Sequence, residues 1–172
     1  MNSINENIIY LEGINEELLI ANHIDAEQIK EDLINNGYIK TKVKPKNKKK
    51  ISLYQIKLGK STITFGKNSI QNNYLTFTYA NKKDYFFHAK DYHGSHVVVN
   101  TDKLDEKTIR FAANIAAFYS KGRLSSSVPV DFCSIKDVKK IKGGKLGLVS
   151  IKNNKTIFID PESIDESLIN NI

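Results

Sequence analysis

Most residues capable of chemistry crowd into one stretch, 84–99, which reads DYFFHAKDYHGSHVVV. Within it lie His88, Lys90, Asp91, His93, Gly94, Ser95 and His96. Two imidazoles and an ammonium are the set a metal-independent ribonuclease would use, one ring as base, one as acid, the cation holding the phosphorane charge. That chemistry needs His88 and His96 to converge on one phosphate. A zinc site built from the histidines with Asp91 or Cys133 is the other option, but the spacing matches no standard zinc pattern, and no metal or other cofactor is expected. The plainer reading has one histidine bonded inside the fold while the other touches a polyanion.

A second group surrounds Gly143 and Gly144: Lys136, Lys139, Lys140, Lys142 and Lys145. Glycines let backbone amides approach an anion, and the ammonium groups supply the charge. Walker spacing is absent, so this is no P-loop. A third group opens at Gly66, where Lys67 and Asn68 begin a run of amides that offers donors to an anion. Lys121 and Arg123 close a helix, where cations suit the negative end of its dipole as well as phosphate.

The elements that must position these groups are legible from periodicity. Tyr85, Phe87 and Ala89 alternate with Phe86, His88 and Lys90, a strand with one buried and one presented face. Gly94 supplies a turn, and 95–99 resumes as a second strand of a hairpin with the histidines near its mouth. On this parity Tyr85, Phe87, Phe118 and Tyr119 are core, while Phe86 and Tyr92 are the exposed candidates for base stacking. Upstream, Ile8, Leu11, Ile14, Leu18 and Leu19 have helical spacing, and a second helix is expected from an Asp25 N-cap to a Gly37 C-cap. Strands 52–58 and 61–65 flank a Gly59-Lys60 turn. A main helix is expected over 104–121, capped by Asp102, followed by a strand at 128–133 and a last hairpin of 147–151 and 155–159 through Asn153-Asn154. The class is therefore α+β: a curved antiparallel sheet with one main helix, preceded by a helical hairpin.

The motifs resemble the NFACT-R domain, the C-terminal RNA-binding module of the RqcH/NEMF ribosome-associated quality-control family, whose bacterial members were first labelled fibronectin-binding proteins. The family pattern runs roughly D-x-W-F/L-H-A/T-K-D-x-P-G-S-H-V-V-I. Asp84, Phe87, His88, Ala89, Lys90, Asp91, Gly94, Ser95, His96, Val97 and Val98 stand in register with it, while Phe86 replaces the tryptophan and His93 the proline. Residues 66–76, 112–123 and 136–149 resemble further family boxes, with Leu146 where proline is usual. The resemblance divides the chain into a helical hairpin over 1–37 that ends the coiled-coil region, a lysine-rich linker over 38–50, the RNA-binding domain over 51–160 and an acidic tail over 161–172. It implies an excised C-terminal fragment.

Charge is unevenly spread. Residues 1–36 carry a net −7 and 159–172 a net −4, leaving +18 on the body between them. Such a field draws polyanions, and RNA is the abundant one in a cytosol. One cysteine excludes a disulfide framework, and neither a signal peptide nor a membrane-length apolar run is present, so a cytoplasmic protein with no membrane partner is expected. The resemblance implies binding to RNA, whether tRNA or rRNA, on stalled large ribosomal subunits with peptidyl-tRNA, during C-terminal alanine tailing. Lys67, Asn68, His88, Lys90, Asp91, Gly94, Ser95, His96, Lys121, Arg123 and the lysines of 136–145 are then the RNA-binding candidates, with no catalytic residue. Two alternatives stand beside this: a fibronectin- or protein-binding adhesin module, and the ribonuclease using His88 and His96.

Overall fold

The computed structural model describes residues 3–41 and 50–172. Lys42, Lys44, Lys46, Lys48 and Lys49 of the expected linker lie outside the described residues. Helices α1 (Ser3–Ile20) and α2 (His23–Asn35) form the expected hairpin. Asn22, not Asp25, is the N-cap of α2: its side chain accepts from Ile24 and Asp25, and Asp25 answers as the third residue of a capping box. Past the C-cap Asn36, Gly37 adopts φ +79, and the Gly37 and Tyr38 amides donate back to Ile34 and Leu33. This is a Schellman ending, which demands a residue free of Cβ strain.

The body is a seven-stranded antiparallel sheet. Strands β1 (Tyr54–Leu58), β2 (Ser61–Phe65), β3 (Tyr85–Ala89), β4 (Val97–Asn100), β5 (Val128–Ser134), β8 (Lys155–Ile159) and β9 (Asn170–Asn171) run across it in the order β8, β5, β3, β4, β2, β1, β9. The expected turn between β1 and β2 is present, with Gly59 at φ +59. Strands β6 (Val138–Lys140) and β7 (Val149–Ile151) form a separate two-stranded ladder. The predicted pairing of 147–151 with 155–159 therefore does not occur. Asn153 turns the chain at φ +51, its side chain donates to Asp137, and β8 leaves to take the open edge of β5. Residues 161–172, expected as a tail, pass through a short turn of helix and return as β9, where Leu53 and Ile172 exchange two backbone hydrogen bonds.

Both faces of the sheet are covered. On one, α4 (Glu106–Phe118), capped by Asp105 rather than Asp102, packs Ala112, Ala113, Ile115, Ala116 and Ala117 onto Phe65, Phe87, Val97 and Val99. On the other, Leu53, Phe86, Val98 and Cys133 meet Leu75 and Val138. Leu75 comes from α3 (Ser69–Tyr74) and its continuation Leu75–Tyr79, a widened π-type turn. Phe86 is 0% exposed, which corrects its reading as a base-stacking residue: parity marks an outward face only when one side of the sheet meets water.

Candidate nucleic-acid interface

Register decides where the histidines stand. Phe86 opposite Val98 places His88 across from His96, with ring centroids 5.3 Å apart and nearly perpendicular. Asp131 of β5 sits beside His88 in the same row. His96 is 1% exposed; its Nδ1 lies 2.7 Å from Thr76 Oγ1, its ring packs perpendicular to the Phe86 ring, its amide donates to Asn72 Oδ1, and the Asn72 and Gly147 backbones face the ring. Desolvation, then the neighbouring His88, holds its pKa well below the usual imidazole value. His88 is partly exposed, yet its ring is enclosed enough that desolvation, aided by His93 and opposed by Asp131, pushes its pKa down to about 4. Both rings are therefore neutral at pH 7. His96 is sealed from substrate, which removes the second ring the ribonuclease alternative needs.

The turn after β3 is clasped from several sides. Asp91, exposed at φ +61, makes the left-handed bend expected at Gly94. Gly94 is required for a different reason: a Cβ there would lie 2.6 Å from the Ser120 Cβ and 3.0 Å from its Cα. Ser95 donates its N–H to the Tyr119 carbonyl, His93 accepts from the Lys121 amide, and Asn72 Nδ2 donates to the Gly94 carbonyl. Helix α1 adds the last contact. The His93 ring lies over Gly13, and its Nε2 is 3.0 Å from Glu17 Oε1. The Ser95 hydroxyl is buried without a partner, so neither it nor His96 is presented to a ligand.

The amide run at 66–76 is likewise spent inside. Asn68 caps α3 and donates to Gln28, Ser69 donates to Glu17, and Gln71 donates to Asp25, whose other oxygen accepts from the Tyr54 hydroxyl. These groups fasten the helical hairpin to the sheet instead of facing an anion. Lys67 sits over the Tyr54 and Tyr119 rings at 4.2 and 4.7 Å, its pKa lowered by desolvation. Arg123 lines a narrow cleft with Glu16, Glu17 and His93. Lys121 reaches Glu12 at 3.3 Å, an exposed pair worth under about 1 kcal/mol and readily exchanged for another anion.

The glycine-lysine loop behaves differently. Lys136, Lys139, Lys140 and Lys142 are exposed, as are Gly143 and Gly144 at the tip, with Lys140 resting on Phe77. Gly147 adopts φ +80 where a Cβ would lie 3.5 Å from the Ser69 Cα, and its backbone faces the His96 ring, so this loop and the histidine pair share one side of the molecule. Lys90 is exposed just past His88. Lys145 instead points at the helical hairpin: its Nζ is 3.6 Å from the Tyr10 ring centroid and donates to the Tyr38 hydroxyl at 3.1 Å. Tyr10, Glu17, Tyr38 and Asp131 were not among the sequence candidates. Tyr10 sits one turn from Ile14 on the buried side of α1, a pattern that marks a packed residue without saying what it meets. Among the described residues no group of three or more His, Cys, Asp or Glu side chains could hold a metal ion, and no helix is long and apolar enough to cross a membrane.

Residues 50–153 match the family model described as the NFACT protein RNA binding domain. The chain belongs to the NFACT RNA-binding domain family. It is 39% identical over 164 residues to the Rqc2 homolog RqcH of Bacillus subtilis (strain 168), covering 92% of this chain and 29% of that one. It is 40% identical over 158 residues to Rqc2 homolog RqcH of Streptococcus suis (strain 05ZYH33), covering 90% and 28%. The chain thus spans under a third of the length of these curated relatives. Among solved structures it resembles the C-terminal part of the fibronectin/fibrinogen-binding protein from Streptococcus suis, with TM-score 0.80 and 40% identity, over 92% of this chain and 65% of that one. The departures from the NFACT-R pattern have local explanations here. Phe86 fills an interior site without needing an indole partner, and His93 trades a rigid turn for a bond to α1.

Proposed function

We propose that the chain is the RNA-binding module of a ribosome-associated quality-control factor, meeting tRNA or rRNA on stalled large subunits through phosphate contacts. The observation that carries this reading is the glycine-tipped loop with four exposed lysines on the side of the His88–His96 pair, on a body of net +18. Lys90, Lys136, Lys139, Lys140, Lys142 and the Gly143 amide make the contact, with Lys121 joining by leaving Glu12. His88, neutral and partly exposed beside Asp131, offers a hydrogen bond in place of charge. Such contacts follow backbone phosphates and carry little base preference.

The test is fluorescence anisotropy with a labelled single-stranded RNA over about 50–200 mM KCl. If about five phosphates are neutralised, log affinity falls with log salt at a slope of about −4. Lys139→Ala and Lys142→Ala each reduce the slope by roughly 0.7–0.9. A flat salt dependence overturns the reading. A second reading, a protein-binding adhesin module, draws on the name of the solved Streptococcus suis relative. Binding to fibronectin that survives nuclease treatment would favour it.

A further inference from the structure

Lys145 is the one lysine of the loop that faces the helical hairpin. Tyr10 of α1 and Tyr38 just past α2 stack at 5.2 Å, and the Lys145 ammonium lies 3.6 Å from the first ring centroid and 5.1 Å from the second. The ring pair is itself fixed: Tyr10 donates to Asp32 and Tyr38 to Asn7. On the loop side, the Gly144 amide donates to the Ile141 carbonyl and the Leu148 amide to the Lys145 carbonyl, so the exposed turn 141–144 hangs between β6 and the Lys145 anchor. Gly147 adds a second anchor by packing on Ser69, whose hydroxyl donates to Glu17 of α1.

We propose that the helical hairpin is a brace for the RNA-binding loop: Tyr10 and Tyr38 hold Lys145 as a strut, and Lys145 is a positioning residue that sets the turn 141–144 without contacting phosphate. This rests on the RNA-binding reading above. Preordering the turn removes an entropic cost from binding a polyanion, which is how a group remote from the ligand raises affinity. The acidic hairpin could instead act as a competitor that covers cations RNA would use. The buried, mutually bonded contacts at Asp25, Gln28 and Glu17 favour a hairpin that stays docked.

The experiment compares the 172-residue chain with Tyr10→Leu/Tyr38→Leu, Lys145→Met and Tyr10→Phe. Without RNA, exchange at the Gly144 and Leu148 amides speeds up roughly three- to thirtyfold in the first two and stays at the parent rate in Tyr10→Phe, which keeps the ring over the ammonium. With the labelled single-stranded RNA, the double tyrosine variant and Lys145→Met lose affinity by a similar factor, keep the parent salt slope, and combine without further loss. Lys145→Met leaves the tyrosine pair in place, so it reads the strut even if the leucine variant unfolds. Unchanged amide exchange overturns the brace. So does a Lys145→Met slope lower by a full phosphate increment, which would make Lys145 a phosphate ligand. Tighter RNA binding by the tyrosine variant also overturns it, in favour of the competitor. If the parent chain shows no salt-dependent binding, the RNA reading fails, and exchange alone decides whether the strut exists.

Discussion

Two imidazoles 5.3 Å apart stay uncharged because protonating either would bury a cation beside its neighbour. Folding therefore holds off protons that the unfolded chain accepts. Both folded pKa values lie below the unfolded value near 6.5, His88 at about 4, so this stability is complete above pH 6.5 and drains as pH falls from about 6.5 towards 4. The loss should reach on the order of 1–3 kcal/mol at pH 5. Urea midpoints between pH 7.5 and pH 5 would reveal it, and His88→Gln should flatten the decline; equal declines in both proteins would contradict it. At this scale the sequence placed His88 and His96 close together correctly, since strand register follows from the hairpin. It could not show that His96 faces inward, because that depends on α3 and the β6–β7 ladder covering the second face.

Among the elements, the helical hairpin and the first five strands are legible, because their signals are local: apolar spacing, a two-residue turn, a Schellman glycine. Partners that depend on burial are not. Strand β7 alternates apolar residues just as a partner of β8 would, but Val149 and Ile151 pack against the Leu53–Phe86 cluster and draw it to β6 instead. The amides of 68–72 read as anion donors until α2 is seen opposite them. Asn22 shows how much one such residue holds. It caps α2 through the Ile24 and Asp25 amides, and its Nδ2 donates to the Tyr54 hydroxyl at 2.8 Å, joining the hairpin to β1. Asn22→Ala should cost about 1–2 kcal/mol of unfolding free energy and loosen α2 first, with earlier exchange of its amides. An unchanged thermal midpoint would mean that neither bond matters.

For the whole molecule, the uneven charge and the two-sided sheet belong together. The acidic hairpin is bound to the basic body by buried hydrogen bonds at Asp25, Gln28 and Glu17, which leaves the cations of the glycine-tipped loop and Lys90 exposed. The acidic C-terminal residues close the edge of the sheet through β9 and set Ile172 against the second core cluster. Deleting residues 165–172 should lower stability by about 2–4 kcal/mol, the sum of a few lost ladder bonds and the exposed apolar edge at Leu53. A deletion as stable as the parent would show that β9 is dispensable.

Cys133 faces that same second cluster from β5, buried, with its thiol pushed up to about 11 by desolvation. Iodoacetamide attacks the thiolate, so the intact protein should resist alkylation while any excursion that lifts the β6–β7 ladder admits the reagent. As the sequence holds a single sulfhydryl, the labelling rate becomes an internal clock for how often this half of the protein opens.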